Sequence, residues 1–98
     1  MSIIDDIRQK LSLSLKPQHI SVLDSSASHY GHDGASEGTI SHVAIRIVSD
    51  IFEGKSRLDR QRLAYNAIAN EISQIHAITE LVTRTPAEEQ ERIERKTV

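Results

Sequence analysis

Five histidines are spread through the 98 residues, and four of them, His29, His32, His42 and His76, bracket a Gly-rich stretch and the end of a helical pattern. Imidazole titrates near neutral pH and binds borderline metals through a neutral nitrogen, so such a set becomes a site if the fold gathers it. The chain has no Cys, which removes disulfides, thiolate nucleophiles and any metal site whose sulfur ligands all come from this chain. Metal chemistry must run through His or carboxylates, or take sulfur from a partner. Considered alone, His29-x-x-His32 reads more simply as two polar rings in a solvated loop, and His76 as a residue meeting the negative end of a helix dipole. His19 and His42 stand at strand starts, where a structural role is the simpler reading.

A second candidate is basic: Lys55, Arg57, Arg60 and Arg62, offset by Glu53 and Asp59. Helix N-termini and Arg both bind phosphate, although a charged helix face balanced by its own acids is the plainer reading. The paired acids Asp5-Asp6 and Glu88-Glu89 look like helix N-terminal charges. No P-loop or Ser elbow is present, so the chain reads as a non-enzyme.

Positioning these groups takes one small domain. An apolar share of 38% suffices for a single core, and a net charge of −2 supplies no bulk attraction to nucleic acid or anionic membrane. Tyr30, Phe52 and Tyr65 are too few rings for a base-stacking platform. No apolar run approaches the ~20 residues that span a bilayer. The start, Met1 to Asp6, resembles neither a signal nor a transit peptide. The expectation is a soluble cytoplasmic protein.

Ile3, Ile4, Ile7 and Leu11 recur at helical spacing behind a Ser2-x-x-Asp5 capping box, predicting a helix from Ser2 to about Leu13. Ile20 to Asp24 alternates as a short strand. Ser25 to Ser41, with Gly31, Gly34 and Gly38, reads as a long exposed loop. His42 to Ser49 is β-branched, with Val43, Ile45 and Ile47 on one face, and reads as a strand. After a turn at Phe52 to Ser56, the Ser56-x-x-Asp59 box opens a long helix ending near Ser73 to Ile75, its apolar stripe formed by Leu58, Tyr65, Ile68 and Ile72. Ala77 to Thr85 reads as a third strand. Thr85, Pro86 and Glu88 take N-cap, N1 and N3 of a charged last helix expected on the surface or frayed. The predicted class is α+β, in the order α-β-β-α-β-α, with one mixed three-stranded sheet packed on the first and long helices.

The ordered set Asp24-Ser25-Ser26-x-x-His29-x-Gly31-His32-x-Gly34, Ser41-His42-Val43, Ile47-Val48-Ser49-x-x-Phe52-x-Gly54, Arg60-Gln61-Arg62-Leu63-x-Tyr65 and Ile75-His76-Ala77-Ile78 with Thr85-Pro86 resembles the BolA family over nearly the whole chain. The resemblance implies a class II KH-like sandwich over residues 1–86, followed by a charged helix or tail at 87–98. It implies an accessory protein of iron–sulfur trafficking or iron homeostasis. Such a protein pairs with a monothiol glutaredoxin and co-ligates a bridging [2Fe–2S] cluster, with glutathione supplied through the glutaredoxin. By position the family's ligands fall on His76 and His29, with His32 as the alternative loop ligand, and His42 reads as support. Alone, the chain is expected as a monomer or weak homodimer, away from membranes. The alternative implied by the family is a DNA-binding transcriptional regulator using Lys55, Arg57, Arg60 and Arg62. Two departures stand out: Ser25 and Gln61 replace residues that are often Glu and His in the family.

Overall fold

The computed structural model describes residues 2–25, 42–75 and 77–96. Helix α1 spans Ile3–Leu15, and the Ser2 side chain accepts from the Asp5 amide, so the first helix starts where its capping box places it. It runs two residues beyond the expected end because Leu15 continues the buried i, i+4, i+8 row of Ile7 and Leu11. Lys16 then closes it in the left-handed region, at φ 44°, with its N–H donating to the Ser12 carbonyl.

Strand β1 is His19–Asp24, β2 is His42–Val48 and β3 is Ala77–Arg84, arranged in the order β1-β2-β3. β1 pairs antiparallel with β2, and β2 pairs parallel with β3, giving the mixed sheet expected. Val43, Ile45 and Ile47 of the central strand are all completely buried, and their partners Ile20, Val22, Ile78 and Leu81 pack in the same core. The opposite face carries Arg46, which forms an ion pair with Glu80 across β2 and β3 at 3.0 Å. A register shift after Val43 leaves Thr79 without a partner opposite, a local bulge that keeps the apolar residues on both sides of it facing inward.

Ser49, itself buried, donates to the Leu15 carbonyl at 2.6 Å and accepts from the Ile51 amide, joining the end of α1 to a single 3-10 turn at Asp50–Phe52. The Lys55 amide returns to the Phe52 carbonyl through Glu53 (φ −57°, ψ 131°) and Gly54 (φ 72°), a type II turn whose second central position favours Gly.

The long helix differs from the expectation. It is two helices, α2 at Arg57–Ala67 and α3 at Ala69–Ile72, separated at Ile68 (φ −119°, ψ 30°). Its buried side is also rotated: Leu58 and Tyr65 are 55% and 40% exposed, whereas Ala64 and Ile68 are buried and Leu63, Ala67 and Ile72 pack against them. Ala64 lies in the same core as Ile7, Leu11 and Leu15 of α1, with Ala67 packed against it, and beyond the break at Ile68 the chain keeps Ile72 and Ile75 on the core. Lys10 of α1 meets the buried Glu71 of α3 at 3.2 Å. The charged C-terminal segment is an ordered helix, α4, at Pro86–Lys96, capped reciprocally by Thr85 and Glu88.

Candidate functional site

Residues 29, 32 and 76 lie outside the described residues. The described residues that flank these segments, Ser25, His42 and Ala77, meet at one end of the sheet. β1 leaves the sheet at Asp24, opposite Val43, β2 enters it at His42, and β3 enters it at Ala77, opposite His42. The Ser25 amide donates to the His42 carbonyl at 2.9 Å, and the Ser25 and Thr79 hydroxyls are 2.9 Å apart. The bulge at Thr79 thus also ties β3 to the end of β1, and its hydroxyl donates to the Val43 carbonyl at 3.4 Å. Chain length alone tethers His29 within about 14 Å of Ser25. A single peptide joins His76 to Ala77. His42 is half-buried between the two tethers. Among the described residues no cluster of three or more His, Asp or Glu could hold a metal ion.

The basic stretch is divided by the fold. Arg60 is a structural hub whose side chain is only 13% exposed. Its Nε donates to the Lys55 carbonyl, one terminal nitrogen donates to the Thr83 carbonyl, and both terminal nitrogens donate to the Glu88 carboxylate at 2.7 and 3.1 Å. The guanidinium carbon lies 5.8 Å from the centre of the Phe52 ring, within cation–π range. Arg62 is exposed and 3.9 Å from Asp59, while Arg57 and Lys55 are exposed. Arg57 and Arg60 line one groove of about 410 Å³ with Gln61, Thr83, Arg84 and Glu88; Lys55 and Arg62 do not. Arg84 and Glu88 escaped the sequence reading as site residues. Glu88 was legible as an N-terminal helix acid, but its second partner, Arg60, is 28 residues away in sequence.

α4 is held by charge. Hydrogen bonding from Arg60, then from the Thr85 amide, lowers the Glu88 pKa. Hydrogen bonding from Arg92, with Arg84 adding to it, lowers that of Glu89 from 4.5 to about 2. Because both folded-state values are depressed, this stabilisation is complete above about pH 4.5 and is lost as pH falls toward 2. The expected result is that amide resonances of α4 remain native at pH 5 and move before those of β2 on acidification. Simultaneous loss of both would show that α4 is not a separately titrating element.

The family model described as BolA-like protein matches residues 11–88. SufE-like protein 1, chloroplastic/mitochondrial, of Arabidopsis thaliana is 41% identical over 87 residues, covering 84% of this chain but only 23% of that protein, so the similarity is to one part of a longer chain. The DNA-binding transcriptional regulator BolA of Escherichia coli is 34% identical over 79 residues, covering 80% of this chain and 71% of that one. The solved BolA domain of SufE1 from Arabidopsis thaliana superposes with a TM-score of 0.74 at 43% identity, covering 90% of this chain and 96% of the domain. No helix among the described residues is long and apolar enough to cross a membrane.

Proposed function

The chain belongs to the BolA-like family, and from that premise we propose that it is an accessory protein that pairs with a monothiol glutaredoxin and offers His76 and one loop histidine, His29 or His32, to a bridging [2Fe–2S] cluster. The observation that carries this reading is the meeting of Asp24, His42 and Ala77 at one sheet end, since the tethers of both candidate ligands start there. The donor set fits: with no Cys, this chain can supply only imidazoles, and the remaining two ligands must be sulfurs from the partner and its glutathione. Two imidazoles on one iron raise the potential of such a cluster and make it responsive to protonation. The role of the fold is positional. The β1–β2 pairing and the Ser25–Thr79 contact hold the starts of the two tethers at one sheet end.

The test is to mix the protein with a monothiol glutaredoxin carrying a glutathione-ligated [2Fe–2S] cluster and record visible circular dichroism. Wild type is expected to give a new spectrum that His76→Ala abolishes, and the same titration on His29→Ala and His32→Ala names the second ligand. No spectral change with wild type, or an unchanged one with His76→Ala, overturns the proposal.

A second reading, DNA-binding regulation, is favoured by the name of the Escherichia coli relative. Against it stand the net charge of −2 and the engagement of Arg60 within the fold. DNA binding would weaken steeply with salt, whereas cluster sharing would not.

A further inference from the structure

The groove between the start of α2 and the end of β3 is built for an oxyanion and already contains one. Its floor is the Arg60 guanidinium, largely buried and fixed by two backbone carbonyls, with its remaining fork turned to the Glu88 carboxylate in a two-pronged contact. Arg57 and Arg84 stand on the rim, Arg84 sharing the Glu89 carboxylate with Arg92. Three guanidinium groups thus line a groove into which a single carboxylate reaches. A planar fork facing two oxygens is the geometry that Arg uses for phosphate as well as for carboxylate.

We infer that this groove is a phosphate-binding site that α4 keeps closed by placing Glu88 where a phosphate oxyanion would sit. The inference stands apart from the glutaredoxin reading. A carboxylate tethered on α4 competes at an effective concentration of roughly millimolar or more, so dilute phosphate does not displace it. A polyanion, or any event that draws α4 away, does. The reciprocal cap between Thr85 and Glu88 makes closure part of folding α4 itself, because the residue that fills the groove also satisfies the amide of the helix's N-cap residue, Thr85.

The test separates the charge of Glu88 from its capping role. Gln at this position can still accept from the Thr85 amide, so Glu88→Gln removes the competing charge while leaving the cap in place. Binding of a labelled oligo-dT of about twelve nucleotides at low salt is measured by fluorescence anisotropy. The expected result is affinity about tenfold or more greater for Glu88→Gln than for wild type, equivalent to one good charge-assisted contact. That gain should be lost in Glu88→Gln/Arg57→Gln, whose second change is exposed and leaves the Arg60 hub intact. Equal binding by wild type and Glu88→Gln of both the oligonucleotide and inorganic phosphate, or a gain indifferent to Arg57, overturns the inference.

A parallel titration of Glu88→Gln with inorganic phosphate identifies the source. Saturation by phosphate alone, with the same dependence on Arg57, assigns a free phosphate ligand, and a response to the oligonucleotide alone assigns a nucleic-acid backbone. In wild type, tens of millimolar phosphate, above the roughly millimolar effective concentration of Glu88, should shift the Arg57 and Arg84 amides saturably. This reading does not depend on how Glu88→Gln folds, and its absence together with no Arg57-dependent gain for the oligonucleotide in Glu88→Gln overturns the inference.

Discussion

Phe52→Ala is expected to destabilise the protein by about 3–5 kcal/mol, a large part of the ~5–15 kcal/mol typical of a domain of this size. Phe52 has no exposed surface and is the largest fully buried side chain. It enters the core from the 3-10 turn, where the chain passes into a type II turn and has little freedom to collapse inward. The same ring underlies the Arg60 guanidinium, so its removal loosens the hub joining the turn, β3 and α4. Urea unfolding followed by circular dichroism checks this: the midpoint should fall with little change in slope. Leu58→Ala and Tyr65→Ala, on the exposed side of α2, should each cost less than about 1 kcal/mol. A small effect at Phe52, or large ones at Leu58 and Tyr65, would contradict the core and helix rotation described above.

If the proposed cluster is shared through histidines, acidification is expected to release it completely, with loss beginning as pH falls through about 6.5 or lower. The sign follows from the ligand chemistry. An imidazole must be neutral to bind iron, so protons compete directly with the metal, and coordination shifts the competition to lower pH than for a free ring. With no thiolate available from this chain, the two proposed histidine ligands are exposed to that competition. The visible dichroism of the heterodimer should therefore vanish between roughly pH 6.5 and 4 in a sigmoidal fall. Full retention at about pH 4 would exclude histidine ligation. This acid loss is separable from that of α4, where Glu89 holds its charge down to about pH 2.

How much of this was legible beforehand varies by residue. The caps at Ser2, Ser56 and Thr85 were readable because a short polar side chain and the amide it accepts from are three residues apart. The inward row Val43, Ile45, Ile47 was readable because alternation in a strand sorts faces without reference to anything else. The absence of Cys confined any metal chemistry of this chain to His and carboxylates, a matter of composition alone.

The continuity of the long helix was not readable and its face only in part, since Ile68 and Ile72 pack on the core as their spacing predicts. Leu58 and Tyr65 are apolar but face solvent, and the buried side is carried partly by Ala64 and Ala67, whose small size matters only against α1. The break at Ile68 has no Gly or Pro to announce it, and it serves the core packing of Ile68, Ile72 and Ile75. Strand order, the register that sets Ala77 opposite His42, and the Arg60–Glu88 contact also required the tertiary structure. The physical reason is range. Caps, turns and alternation are decided by energies acting across a few residues, so the sequence by itself determined where elements begin and which residues could ligate a metal or bind an anion. Pairings between residues 28 to 54 apart form only when the whole core selects one packing, so the tertiary structure alone decided which groups meet.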